Sequence, residues 1–325
     1  PKEMVARVRA VLRRRAPHLA GEAVEVANLS LNPATHRVLA GGQPIELGPT
    51  EFRLLFFFMT HAERVYTRAQ LLDESYAKPF VIDDGKSRFL YFNVRLMQSE
   101  MSLKAPNDLA IRYTQKMMAF LLFQPRPKRI ALIGLGGGSL VKFCYHRMPG
   151  THMTAIELDP EVIAFRETFL VPPDNERLQI VNGDGAEYLE NAEKGLDVLL
   201  VDAFDRTGFA PGLANRQFFE NAYAKLAGNG VLVINLAGEK ESYAGLIGEV
   251  MHVFDDQVIV ISVPDDGNHV LYAFKEHYFA PRWRWLHNYA KELRAKFGLD
   301  FPAFVQKMER SSKLGLARRE AIRGR

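Results

Sequence analysis

The stretch that most restricts this chain is Ile130-Ala131-Leu132-Ile133-Gly134-Leu135-Gly136-Gly137-Gly138-Ser139-Leu140. Four apolar residues predict a short buried strand, the glycines a tight turn, and Ser139 stands where it would cap a helix opening at Leu140. A turn of this kind lets a ligand approach bare backbone and meet the positive end of a helix dipole. Taken alone, the pattern also fits a plain loop. The residues that follow separate the two.

Roughly 20 residues on, a second apolar run, Thr154-Ala155-Ile156, ends in Glu157-Leu158-Asp159-Pro160, the spacing at which open α/β nucleotide sites place a carboxylate on ribose hydroxyls. A third run, Leu178 to Val181, ends in Asn182-Gly183-Asp184-Gly185, and a fourth, Asp197 to Val201, ends in Asp202-Ala203-Phe204-Asp205. Four strands in succession therefore finish in polar or glycine residues on one edge, where open α/β sheets bind ligands. Each acid also has a plain reading. Glu157 and Asp159 suit a helix N-terminus, Asp184 a turn, and Asp202 and Asp205 a loop; their joint placement is what favours a nucleoside site.

A length of 325 residues suggests about two domains, and 47% apolar with 25% charged residues is the composition of a soluble globular protein. The net charge of +4 does not by itself point to nucleic acid. The single cysteine, Cys144, excludes a disulfide framework within the chain, fits a reducing cytosol, and reads as a small buried hydrophobe. No apolar run approaches the ~18 residues of a membrane span and no signal peptide is visible, so a cytoplasmic location without a membrane partner is expected. His146, His152, His252, His269 and His277 lack a ligand spacing, so no metal is expected.

At the start, Met4, Val5, Val8, Val11 and Leu12 recur at helical spacing with arginines on the other face. A β-rich stretch with a Gly41-Gly42 hairpin signal follows, then a helix from Gly48-Pro49-Thr50 and another from Thr67. Pro44 to Leu55 and Arg64 to Leu72 resemble the effector domain of OmpR/PhoB-type winged-helix response regulators, and the opening helix resembles the last helix of their receiver domain. In that family a recognition helix enters the major groove, whereas here Ser75-Tyr76-Ala77-Lys78-Pro79 leads into different sequence. Residues 1–74 are therefore read as a receiver-end helix plus a truncated winged-helix-like segment. Specific DNA binding is not expected of it, with weak phosphate contact by Arg13 to Arg15 as the residue of that role.

Beyond it, residues 75–123 read as a small β-rich domain with a hairpin around Asp84-Gly85, a strand within Val94 to Met101 and an apolar helix from Leu109 to Phe123. Residues 124–280 carry the strand-rich core. Residues 281–325 form a basic helical tail, with Trp283, Trp285, Leu286, Tyr289 and Leu293 expected to pack on the core and the last residues expected to fray.

Across this region Asp83-Asp84-Gly85, Gln98-Ser99-Glu100, Tyr113, Gly134 to Leu140, Glu157 to Pro160, Gly183 to Gly185, Asp202 to Asp205 and Gly230 to Leu236 occur in an order that resembles the polyamine aminopropyltransferase family, spermidine synthase and its bacterial relatives. The resemblance implies an α/β chain: a Rossmann-like S-adenosylmethionine-dependent methyltransferase fold with a small β-domain before it and the N-terminal partial winged-helix segment. It implies that Gly134, Gly136 and Gly138, with Glu157 and Asp159 on the ribose side, Asp184 and Gly185 at the adenine and Gln98 from the β-domain, bind the nucleoside. By the same resemblance Asp202 is the general base, Asp205 a second catalytic anchor, and Tyr113 a substrate contact. It implies no cofactor beyond the co-substrate, decarboxylated S-adenosylmethionine or S-adenosylmethionine, a polyamine acceptor, and a homo-oligomer.

The polyamine half departs from the family pattern. Gly136 stands where spermidine-making members carry an acid, Thr114-Gln115 replaces His-Glu after Tyr113, and Arg206 follows Asp205. Three readings result: aminopropyl transfer with an altered substrate; a methyltransferase or non-catalytic nucleoside binder on the same fold; and, less favoured, a DNA-binding transcriptional regulator.

Overall fold

The computed structural model describes residues 23–32, 35, 37–60, 79–92, 97–205, 208–237, 240–263, 267–276 and 279–323. The expected opening helix and the helix from Thr67 lie outside them. The chain divides into two compact units, Pro1–Asp108 with Ala164–Val171, and Leu109–Ile163 with Pro172–Arg325.

In the first unit, β1 (Val24–Val26), β2 (Leu29–Asn32), β3 (Arg37–Ala40) and β4 (Gln43–Ile45) form an antiparallel sheet in sequence order. Gly41 and Gly42, at φ +55° and +80°, turn β3 into β4, a geometry costly for residues with a Cβ. Helix α1 (Pro49–Thr60) follows. A second antiparallel sheet consists of β5 (Phe80–Asp83), β6 (Ser87–Tyr91) and β7 (Met97–Ser102), with Gly85 at φ +80° in the expected Asp-Gly turn. The two sheets share one core: Val24, Leu31 and Val38 join Phe52, Phe56 and Phe57 of α1 and Phe80, Ile82 and Tyr91 of the hairpin. Arg88 grips Asp83 through both carboxylate oxygens, at 2.7 and 2.6 Å, and also donates to the Thr168 carbonyl.

The second unit is built on seven strands in the order β10-β9-β8-β11-β14-β16-β15. These are β8 (Arg129–Ile133), β9 (His152–Glu157), β10 (Leu178–Asn182), β11 (Leu196–Val201), β14 (Leu226–Leu236), β15 (Val258–Val263) and β16 (Asn268–Phe274); a short pair, β12 (Phe204–Asp205) and β13 (Gly208–Phe209), branches off after β11. The first five strands of the sheet order run parallel, and β16 pairs antiparallel with both β14 and β15. The central parallel strands carry continuous buried apolar runs, Ile130–Ile133 of β8, Val198–Val201 of β11 and Val231–Ile234 of β14, because both of their faces are covered. On one face lie α5 (Gly185–Asn191), α6 (Arg216–Lys225) and α7 (Lys240–Val253), whose Leu189, Phe218, Phe219, Tyr243 and Val250 join the sheet in one cluster.

Helix α2 (Arg112–Met117), continued by a 3-10 turn over Met118–Leu122, packs on β14, β15 and β16. The apolar helix expected from Leu109 thus starts three residues later. The Tyr272 hydroxyl, donating to the Lys116 carbonyl at 2.5 Å, ties it to the sheet. Helix α3 (Ser139–Arg147) follows the glycine turn, and α4 (Pro160–Ala164) follows β9. Cys144 on α3 is buried, and burial pushes its thiol up to about 12, so it behaves as an inert hydrophobe.

The C-terminal region forms α8 (Trp283–Phe297) and α9 (Phe301–Arg323). Leu286 and Leu293 are buried as their spacing predicts. Trp285 is not: it is 55% exposed and stacks on Tyr289 with ring centroids 4.8 Å apart. Its neighbour Leu286 takes the inward position, and the helical rotation of about 100° per residue turns Trp285 aside. Among the described residues no helix is long and apolar enough to cross a membrane.

Leu199, at the middle of β11 and 0% exposed, sits at the centre of this core. Leu199→Ala is expected to destabilise the protein by about 2–5 kcal/mol through lost burial and the cavity left behind, read as a lowered urea midpoint of the transition that reports the second unit.

Candidate active site

The chain runs from β8 through β9 to β10 on one side of the sheet, then crosses back to β11 on the other side of β8. That reversal opens a crevice at the carboxyl ends of β8 and β11. Here the ends of the strands meet through backbone. The Gly134 N–H donates to the Ile156 carbonyl at 2.8 Å, and the Asp202 N–H to the Ile133 carbonyl at 2.9 Å. Gly134 lies at φ +96°, and a Cβ on it would overlap the Asp202 carbonyl oxygen. Only glycine satisfies both demands.

Gly136 and Gly138 also lie at positive φ, +51° and +67°. Gly138, not Ser139, takes the N-cap position of α3, with no side-chain cap bond. The expected Ser139 cap is thus corrected: the left-handed turn at Gly138 makes Ser139 the first helical residue. Gly185 is confined by a different neighbour, since a Cβ there would overlap Ile133 Cγ2. The start of α5 thus lies close against Ile133 at the end of β8.

The acids on this edge differ in what they do. Glu157, at the end of β9, is half-buried; Oε2 accepts from the Leu135 N–H at 2.9 Å and Oε1 from the Asp159 N–H at 3.0 Å. Burial raises its pKa, while the N–H groups of Asp159, Leu135 and Gly136 pull it back and the Asp159 charge adds to the rise. Asp159 Oδ1 accepts from the Glu161 N–H at 2.8 Å and so caps the turn into α4. Asp184 is exposed and caps α5, its Oδ1 accepting from the N–H groups of Ala186 and Glu187 at 2.7 and 3.1 Å. Both bonds use one oxygen, Oδ1, and a carboxylate's second oxygen is an acceptor in its own right.

Asp202 is the most perturbed of the four. Its Oδ1 accepts from Asn235 Nδ2 at 2.8 Å and its Oδ2 from the Tyr113 hydroxyl at 3.1 Å. Asn235 is 2% exposed and its own Oδ1 accepts from Asn268 Nδ2 at 3.0 Å. Desolvation pushes the Asp202 carboxyl up to about 6, the Asn235 and Tyr113 bonds acting against it. The result is a carboxylate that is ionised at neutral pH yet able to take a proton.

The second unit thus brings together Gly134, Gly136, Gly138, Glu157, Asp159, Asp184, Gly185, Asp202 and Tyr113. Gln98 lies half-buried on β7 of the first unit. Asp205 lies on β12, its backbone paired with Gly208, and its side chain falls outside the described residues, as does Arg206. Among the described residues no group of three or more His, Cys, Asp or Glu side chains could hold a metal ion.

A profile for the spermine/spermidine synthase domain matches residues 111–245, and one for the C-terminal domain of transcriptional regulatory proteins matches residues 42–112. The polyamine aminopropyltransferase of Chromobacterium violaceum is 33% identical over 234 residues, 72% of this chain and 90% of that protein. The chain belongs to the polyamine aminopropyltransferase family. Its fold agrees with a probable spermidine synthase from Corynebacterium glutamicum, at a TM-score of 0.57 and 21% identity, covering 66% of this chain and 84% of that one. The regulator-like part is 54% identical over 84 residues to the phosphate regulon transcriptional regulatory protein PhoB of Escherichia coli K12, which covers 26% of this chain and 37% of that protein.

Two side chains that sequence alone does not single out, Asn235 and Asn268, are linked by hydrogen bonds to Asp202 in this aminopropyltransferase-family chain. Asn235 was visible only as part of the run Gly230 to Leu236, and its signal is a lone amide interrupting buried apolar residues. Asn268 follows a turn sequence, Asp265-Asp266-Gly267, and looks like part of it.

Gly134→Ala is expected to lower stability by at least about 1–3 kcal/mol from the forced φ alone, with the Asp202 clash added. Melting temperature is the readout, and Gly150→Ala, where the nearest atom to an added Cβ is the end of Lys128 at 3.9 Å, serves as the control.

Proposed function

We propose that this chain transfers the aminopropyl group of decarboxylated S-adenosylmethionine to an amine of a polyamine, on an acceptor altered from that of the spermidine-making members. The observation that carries this reading is Asp202: a half-buried carboxylate at the switch point of the sheet, bonded on both oxygens by neutral donors, beside a nucleoside-fitting loop. The chain's membership of the polyamine aminopropyltransferase family and its fold support the same reading.

In this reading Glu157 accepts from the ribose hydroxyls with the lone pairs that the Leu135 and Asp159 N–H groups leave free. Asp184 Oδ2 accepts from the adenine amino group, and Gly185 lets the base lie close to the backbone. The attacking amine must be neutral, although an alkylammonium has a pKa of about 10. Crowding against the sulfonium in a desolvated cleft lowers that value, and the Asp202 carboxylate takes the proton. The nitrogen lone pair then forms the bond to the methylene beside sulfur. The carbon–sulfur bond breaks with its electrons going to sulfur, and neutral methylthioadenosine leaves. Tyr113 fixes the carboxylate from the α2 side, and Asp205 would anchor the distal cationic end of the chain.

Gly136 motivates a second reading, methyl transfer from S-adenosylmethionine, because no acid stands there to meet the donor's amine. Calorimetric titration with methylthioadenosine and with both donors, followed by a turnover assay with putrescine, separates the two. Preference for the decarboxylated donor with formation of methylthioadenosine supports aminopropyl transfer. Preference for the carboxylated donor with methyl transfer overturns it. Glu157→Ala is expected to lose nucleoside binding, whereas Asp202→Asn should keep it and lose about 10²–10⁴-fold in kcat.

The pH dependence follows from the raised Asp202 carboxyl. The base works only ionised, so kcat/KM should rise with pH through about 6 and fall about tenfold per pH unit below it. A profile still flat at pH 5 would remove Asp202 from the role of base.

A further inference from the structure

Three adjacent strands place three polar side chains on one face of the sheet. Val201 of β11 stands opposite Ile234 of β14, and both point into the cluster that packs against α5, α6 and α7. Alternation along each strand turns the next residues, Asp202 and Asn235, to the other face. Asn235 is paired with Val270 of β16, so Asn268, two residues from Val270, emerges on that same face one pleat nearer the edge. The three form a directed chain: Asn268 Nδ2 donates to Asn235 Oδ1 at 3.0 Å, and Asn235 Nδ2 donates to Asp202 Oδ1 at 2.8 Å.

We infer that Asn235 is the positioning residue of the proposed base, holding the Asp202 carboxylate in a single rotation, and that Asn268 fixes which end of the Asn235 amide faces it. This rests on the reading of Asp202 as the base. An amide can present either a donor or an acceptor, and a carboxylate tolerates only the donor. Asn268 offers its N–H₂ to the Asn235 oxygen, which leaves the Asn235 N–H₂ as the end that meets Asp202. The bond spends one lone pair of Oδ1 and Tyr113 spends one of Oδ2, which leaves each oxygen one further lone pair of fixed direction. With Asn235 2% and Asn268 9% exposed, water cannot readily replace either donor.

The side-chain groups on the Asp202 carboxyl are the Asn235 amide from β14 and the Tyr113 phenol from α2, while Gly134 lies against the Asp202 backbone; no charged side chain is among the causes of its shift, which are burial opposed by Asn235 and Tyr113. Removing the amide therefore leaves burial less opposed, and the carboxyl should titrate higher still.

The test uses the full chain, with Asn235→Leu and Asn268→Ala. The Asp202 carboxyl carbon resonance, identified by its loss in Asp202→Asn, is followed with pH beside the pH profile of kcat/KM. In Asn235→Leu the titration and the acid limb are expected to move up together by about one pH unit, kcat to fall about ten- to hundredfold through misalignment, and methylthioadenosine affinity to stay unchanged. Asn268→Ala should move the midpoint in the same direction by less. If Asn235→Leu does not fold by circular dichroism, Asn268→Ala decides alone. An Asp202 titration left in place in the folded variants overturns the inference. A titration that moves in a protein showing no aminopropyl transfer supports the positioning role while sinking the proposed function, so the two failures are distinct.

Discussion

The site depends on a missing side chain. Gly134 ends β8 in a left-handed conformation directly under the Asp202 carbonyl, where any Cβ would overlap the backbone. That closeness lets the Asp202 N–H reach the Ile133 carbonyl, and it lets β11 deliver its terminal acid to the same point as the glycine turn. Sheet order supplies the rest. Because the chain reverses direction across the sheet between β8 and β11, the two loops diverge and leave a crevice.

Within that crevice similar acids are set to different work by their surroundings. Asp159 and Asp184 accept from the N–H groups of the helices that follow them, the ordinary use of an acid before a helix. Glu157 is bonded by backbone N–H groups on both oxygens, which orients it and offsets part of its burial. Asp202 receives bonds from neutral side chains alone, so burial dominates and its proton affinity rises. A carboxylate held this way is strained toward neutrality, the condition a base needs. The strain is tolerated because Tyr113, Asn235 and Asn268 are themselves satisfied; among the described residues no buried side-chain polar atom lacks a partner.

The first unit bears on how two unrelated sequence patterns coexist in one chain. The regulator-like residues contribute α1, and Phe56 and Phe57 of that helix meet Phe80 of the hairpin, which stacks on Tyr91 at 5.5 Å. The aromatic cluster runs unbroken from α1 into the hairpin, both inside the stretch that matches the regulatory-protein domain. Burial of this size makes the regulator-like helix part of the hairpin's core rather than a segment hanging from it.

Much of this could be read from the residues. Short-range rules decide the strand-glycine-helix turn, the Asp-Gly hairpin, the buried Cys144 and the acids at successive strand ends, since apolar period, turn chemistry and spacing act within a few positions. Long-range contacts decided the rest. That Asp202 would be desolvated, that Glu157 and not Asp159 would face the glycine loop, that Trp285 would turn outward, and that Asn235 and Asn268 would form a hydrogen-bond chain to Asp202 depend on which strands become neighbours and in what register. Asp202 and Asn235 are 33 residues apart in sequence, as are Asn235 and Asn268. A pattern local to either asparagine carries no record of the other, because hydrogen-bond direction and burial are properties of the assembled sheet.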